Sequence, residues 1–430
     1  MISRIEATRY RCFDKLDVTL GDFAVLVGAN GSGKTTLLDI PCLLGDMLQE
    51  RNIASSFLVG KDDRPPRAKA LEELVFQQQG NHFILALEAR LPDETVTALL
   101  EGQSNAVKEQ RERWPQTIRY ELRFEILNQR ELHVQNEYLF LFADKDAPAR
   151  REAGGSEQRL NGEFPKQAWR FIIKREYGGE AEFKVETRQR AQPKQASISP
   201  LQLALPRVQF EAKEDFPAAR WLLDLLLEDT VFFDPDWQQM RNASPPGLPE
   251  RLLASGMNMP WLALALKQQD TERFASWQQH VALALPQVTA IDVREREDDH
   301  HAYFVVTYNE GHKVSSSGLS DGTLRILSYT LLPYLLNPPR FLVLEEPENG
   351  IHPKAIDAVM EGMMYMYDTQ VIVSSHSTVV LAHTALEHLL VARLNDDGAA
   401  EIVSGRSHPR LVDWKGTVDL GSLFAAGVLG

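Results

Sequence analysis

Two stretches of this chain carry residue types that can act together on a phosphate. The first is Gly28-Ala29-Asn30-Gly31-Ser32-Gly33-Lys34-Thr35, the complete phosphate-binding loop (P-loop) pattern. Its glycines let successive backbone N–H groups turn toward one point, and the start of a following helix adds its positive end there. Lys34 can reach the outer phosphates of a nucleotide, and the Thr35 hydroxyl can ligate Mg2+. Asn30, Gly31, Ser32, Gly33 and Thr36 belong to the same cradle. The second stretch is an apolar run that delivers two acids, Phe341-Leu342-Val343-Leu344-Glu345-Glu346. One carboxylate must sit near magnesium beside Thr35, and the next must polarise a water in line with the γ-phosphate. Adjacent residues at a strand end can diverge enough to do both.

These residues need elements to hold them. Phe23-Ala24-Val25-Leu26-Val27 reads as a buried strand before the loop. Thr36-Leu37-Leu38-Asp39-Ile40 opens a helix and ends at Pro41, with helical character continuing to about Gln49. Phe83 to Ala89, Thr117 to Leu127, Leu132 to Phe142 and Trp169 to Thr187 read as strands, the last turning at Gly178-Gly179. Arg51 to Ala70 and Ala147 to Gly162 read as loops, and Gln192 to Pro206 as a proline-punctuated linker. Residues 215–285 change to helical spacing, without the sustained heptads of a long coiled coil. From Val288 the strand pattern returns, and strand and helix then alternate to the end, an α/β signature. The expected domains are an N-terminal lobe over 1–210 with the P-loop and an antiparallel β region, a helical insertion over 211–287, and a C-terminal lobe over 288–430.

Composition narrows the class. At 430 residues, with 43% hydrophobic and 25% charged, this is an ordinary soluble globular chain, expected in the cytoplasm. No stretch approaches a membrane span, and Met1-Ile2-Ser3-Arg4-Ile5-Glu6 lacks a signal-peptide layout. Cys12 and Cys42 are the only cysteines, which argues against disulfide scaffolding or a structural zinc. The net charge of −14 means that nucleic acid would need a local basic patch. Lys166 to Lys194 is the best stretch for one, but its glutamates interleave, and a solvated strand pair is the plainer reading. His300-His301 beside Asp298-Asp299 reads as a solvated hairpin loop rather than a metal site. The small, apolar stretch Gly421 to Gly430 reads as a final packed helix, with a docking peptide as the alternative.

Two further stretches decide which nucleotide machine this is. Ser316-Ser317-Gly318-Leu319-Ser320-Asp321-Gly322-Thr323 precedes an apolar helix from Leu324 to Leu335. Gln370-Val371-Ile372-Val373-Ser374-Ser375-His376 is a strand ending in a histidine. Alone, the first is an ordinary helix cap and the second a structural histidine. Together with the P-loop and paired acids, in this order, they resemble the signature and switch histidine of ABC-type ATPases. The chain resembles members with RecF/SMC-like heads, and more closely compact bacterial AAA family ATPases related to the OLD proteins. Arg9-Tyr10-Arg11-Cys12-Phe13 and Glu346-Pro347-Glu348-Asn349-Gly350-Ile351-His352-Pro353 carry that resemblance. It covers roughly 1–50 and 290–390. Glu345 stands where the wider class has Asp, and the Q-loop glutamine is open among Gln77, Gln78 and Gln79.

The resemblance implies a P-loop NTPase fold of ABC type, a mixed sheet core with an antiparallel β subdomain, and ATP hydrolysis. It assigns Thr35 and Glu345 to magnesium, Glu346 as the base or water-positioning residue, His376 to the γ-phosphate, and Ser320 and Gly322 to the site of a second copy. Two chains then sandwich two ATP molecules, as a dimer or higher oligomer. OLD relatives often carry a TOPRIM nuclease after the switch histidine. Such a domain needs on the order of 100 residues, and only roughly 50 follow His376. A separate effector such as a nuclease is therefore expected, as for ATPase subunits of anti-phage defence systems such as PARIS. A RecF-like repair ATPase that binds DNA is the alternative, and a transporter subunit has the least support.

Overall fold

The computed structural model describes residues 1–61, 64–101, 103, 105–144, 170–176, 179–187, 192–411, 414 and 418–428. The expected loop over 147–162, the turn residue Gly178, and Lys166, Arg188 and Arg190 lie outside the described residues. The chain divides into two compact units. One comprises 1–20, 31–230 and 393–402, the other 21–30, 231–392 and 403–430.

The first unit is built on an eight-stranded sheet. Its strands are β1 (Ile2–Tyr10), β2 (Phe13–Thr19), β4 (His82–Arg90), β5 (Thr117–Leu127), β6 (Glu131–Phe142), β7 (Arg170–Arg175), β8 (Ala181–Phe183) and β9 (Lys194–Ala196), in the order β2-β1-β4-β5-β6-β7-β8-β9. Every neighbouring pair is antiparallel, as hairpin-rich alternating sequences demand. β9 falls within the segment expected to be a linker. Three of the strands are stitched by a buried ionic cluster. Arg119 on β5, fully buried, meets Glu6 on β1 at 2.7 Å, Glu88 on β4 and its own neighbour Glu121. Burying such charges costs free energy unless each finds partners, and here each does.

The P-loop helix, Lys34–Gln49, belongs to the same unit. The helix runs through Pro41 without a break and ends at Gln49, where the helical character of the sequence also ends. A proline inside a helix costs about 3 kcal/mol. Burial of Leu37, Leu38, Ile40, Leu43, Leu44, Met47 and Leu48 outweighs that cost. A second helix, Pro217–Leu227, starts on a carboxylate: Glu186 accepts from the backbone N–H groups of Ala218 and Ala219 at 2.6 and 2.8 Å.

The second unit holds a parallel sheet. β3 (Phe23–Gly28) pairs with β15 (Gln370–Ser374) on one side and β16 (Leu389–Leu394) on the other. β15 pairs with β14 (Phe341–Glu345), and β10 (Thr230–Phe233) lies beyond β14. β10 is a strand inside the stretch 211–287 that reads as a helical insertion. It is short, aromatic and β-branched, and it is bounded by Asp234-Pro235, which ends it. The central strands are buried on both faces, so their sequences are continuous apolar runs. Helices Met259–Gln269, Thr271–Ala284, Asp321–Leu331 and Pro353–Met364 share one large core with them, together with the three-stranded antiparallel sheet β11 (Val288–Glu295), β12 (Ala302–Tyr308) and β13 (Lys313–Ser315). Among the described residues no helix is long and apolar enough to cross a membrane.

Candidate functional site

The P-loop begins where β3 ends, at Gly28, and closes at Gly33, which starts the helix. Gly31 and Gly33 have φ of 79° and 91°, the left-handed region that glycine enters without strain. A Cβ on Gly33 would lie 2.9 Å from Cys12 Sγ and 3.0 Å from Phe13. Cys12 is thus packed beneath the loop. Burial pushes its thiol pKa up, and a hydrogen bond with the Thr36 side chain partly offsets this. No side chain caps the helix at Gly33, and its first turn holds no acid. Ser32 and Lys34 are buried, while Asn30 is exposed. A wrapped backbone, an uncapped helix start and a lysine at its first position fit an anionic phosphate. Gln77, Gln78 and Gln79 lie in the stretch before β4, with Gln77 and Gln78 at positive φ, and Gln77 donates to the backbone of Asp397.

The acids and the histidine meet in the second unit. Glu345 is the last residue of β14 and pairs in register with Ser374, near the end of the neighbouring strand. The next residue, Glu346, turns into the left-handed region at φ 46° and donates its N–H to Ser374 O at 3.0 Å. That turn separates two successive carboxylates. Glu346 Oε1 stands 3.3 Å from His376 Nε2, a close polar contact without hydrogen-bond alignment. Its Oε2 accepts from Asn349 Nδ2 at 2.6 Å. Both side chains remain about one-third exposed, 32% each, so water reaches them. A carboxylate held by a carboxamide and faced by an imidazole can orient and deprotonate a water.

Two positions on, Glu348 turns back toward the switch strand. Its Oε1 accepts from Ser375 Oγ at 2.6 Å and from His376 N at 3.0 Å. Ser375 N in turn donates to Leu26 O on β3. The imidazole also faces the ring of Phe424, at 6.4 Å, from the short helix Leu420–Ala425 near the C-terminus. Neither Glu348, Asn349 nor Phe424 has a role that the sequence assigns.

Ser320 caps the helix Asp321–Leu331: its Oγ accepts from Thr323 N at 3.2 Å and pairs with Thr323 Oγ1 at 2.9 Å. The ordinary cap reading is therefore true of it, whatever else it does. Arg241 clamps the same turn by donating to Leu319 O at 2.5 Å and Asp321 Oδ1 at 2.6 Å. Gly322 packs against the loop after Glu348: a Cβ there would lie 3.1 Å from Gly350 O. His300 and His301 pair with Glu295 and Asp299 on an exposed hairpin, and no metal-binding cluster exists among the described residues. An apolar cavity of about 290 Å³, lined in part by Ile356, Met360 and Val380, lies at Phe23. That is the opposite end of β3 from the P-loop, so the cavity is not the phosphate site.

Comparison with known proteins gives the family and the fold. A family model described as "AAA domain, putative AbiEii toxin, Type IV TA system" matches residues 23–382. An OLD nuclease of Thermus scotoductus is 42% identical over 48 residues, which are 11% of this chain and 9% of that protein. The chain thus spans under a tenth of that relative. Among solved structures, an SmcHead bound to the C-winged helix domain of ScpA aligns over 94% of this chain and 97% of its own. The identity is 12% and the TM-score 0.52, a likeness of fold.

Proposed function

The chain belongs to that AAA domain family and has the P-loop fold of an SMC head, and from this premise we propose that it binds ATP with magnesium and hydrolyses it between two copies of itself. Lys34 and the amides of Gly31 to Thr36 would hold the phosphates, and Thr35 with Glu345 the metal. Magnesium would supply charge neutralisation at the phosphates. Glu346 orients and deprotonates the attacking water, His376 stands beside it, and Ser320 and Gly322 serve the site of the second copy. The observation that carries this reading is the contact of Glu346 with His376 at the ends of neighbouring strands. The ATP-closed dimer then controls a separate effector of nuclease or toxin type, in defence against phage. The OLD nuclease match and the family description support that class of partner.

The test uses the full chain and light scattering after gel filtration. Lys34→Ala is expected to abolish ATP binding. Glu346→Gln should bind ATP and magnesium, hydrolyse it at least a hundredfold more slowly, and elute as a dimer only with both present. A Glu346→Gln chain that turns over ATP at the normal rate would sink the assignment. The trapped dimer, tagged in its host, should retain a nuclease or toxin; recovery with replication proteins and DNA instead would replace the defence reading.

A further inference from the structure

We propose that Glu348 is a positioning residue for His376, an inference that rests on the hydrolytic reading of the Glu346–His376 pair. A histidine at the end of a strand is held by its backbone only as firmly as the residues after the strand are held. β15 ends at Ser374, so Ser375 and His376 lie past the last ladder position. Ser375 N–H still reaches Leu26 O on β3 at 3.0 Å, and beyond that bond one carboxylate oxygen holds both residues. Glu348 Oε1 accepts from the Ser375 hydroxyl at 2.6 Å and from the His376 backbone N–H at 3.0 Å. Ser375 Oγ then accepts from Ser377 N at 3.0 Å, which carries the contact into the start of the helix Thr378–Ala382.

Glu348 is itself fixed by the loop that carries the base. Asn349 N donates to Glu346 O and Ile351 N to Glu348 O, so residues 346–351 form consecutive tight turns. The carboxylate that acts on water and the carboxylate that seats the histidine are thus two residues apart on one rigid loop. A displacement of this loop moves both partners of the 3.3 Å contact together. Gly322, at the start of the signature helix, abuts the same loop at Gly350. Misplacing a reacting group by about an ångström costs on the order of a hundredfold in rate. Loss of this seat is expected to act on turnover and spare ATP affinity.

The experiment measures kcat, KM and ATP affinity for Glu348→Ala, Glu348→Gln, His376→Ala and the Glu348→Ala/His376→Ala pair, with thermal melts alongside. Glu348→Ala should lower kcat about tenfold or more, with ATP affinity within about threefold of the parent. Glu348→Gln keeps the Oε1 acceptor and should recover most of the loss. The double variant should be no slower than His376→Ala alone, because both changes remove one function. Should Glu348→Ala fail to fold, Ser375→Ala removes one of the two contacts and is expected to lower kcat about threefold. Normal kcat in Glu348→Ala, or losses that multiply in the double variant, overturns the positioning role. Normal turnover in His376→Ala would instead remove the hydrolytic reading beneath it.

Discussion

Gly33 joins a loop to a helix at φ 91°, with Cys12 and Phe13 directly beneath it. A side chain there meets two costs at once. The left-handed backbone costs an L-residue about 1–2 kcal/mol, and its Cβ would press on the sulfur at 2.9 Å. Gly33→Ala is therefore expected to weaken ATP binding at least tenfold in calorimetric titration, while a Cys12→Ser control binds normally. Such positions were legible in the sequence because phosphate chemistry restricts both residue type and spacing. Lys34 and Thr35 stand out from the loop pattern alone, whereas Glu345, Glu346, Ser320 and His376 stand out only as a set in this order. Glu348, Asn349 and Arg241 could not be given roles. Their contacts reach Ser375, Glu346 and Leu319, and only the fold brings Glu348 to a residue 27 positions away or Arg241 to one 78 away. A carboxylate that seats another residue leaves no motif of its own.

Elements were read well where period and length agreed, and misread where packing overrode local preference. The P-loop helix reaches Gln49, as its sequence reads, and tolerates Pro41 because its apolar face is buried along its whole length. β10 and β9 were missed because strands of four and three residues carry too little pattern to separate from loops. One element junction makes a further expectation concrete. Glu186 starts the helix Pro217–Leu227 from a fully buried position, and burial lifts its carboxyl to about 7, with the two backbone N–H bonds and Arg170 pulling the other way. A raised carboxyl binds its proton in the folded chain at pH values where the unfolded chain has released it. Its contribution to stability is thus fully present below about 4.5 and is lost as pH rises toward 7. The loss over that window is of the order of 3 kcal/mol. Glu186→Gln keeps the acceptor and removes the titration. Its urea midpoint should change less between pH 5 and pH 7 than that of the parent chain, and equal slopes would refute the assignment.

At the scale of the whole molecule, charge separates the two readings of the basic stretch. The chain carries −14, and four of the described cations between 170 and 194, Arg170, Lys174, Arg175 and Lys194, are already engaged. Arg175 donates to the backbone of Ile198, Ser199 and Gln202 from a buried position, Lys174 pairs with Glu176, and Lys194 pairs with Glu211. Band shifts at about 150 mM salt are expected to reveal no retention of duplex DNA, with or without ATP, since few phosphates could be neutralised. Tight, steeply salt-dependent binding would return the RecF-like reading to the front. The sheet of the second unit has a consequence in time. β3 is made within the first thirty residues, yet it lies between β15 and β16, which follow roughly 340 residues later. At about 5–20 residues per second, synthesis leaves Phe23-Ala24-Val25-Leu26-Val27 without either neighbour for some tens of seconds. A strand of that composition is an open invitation to aggregate. The yield of folded protein should therefore depend on what shields the nascent chain during that wait, and slow translation should favour the aggregate.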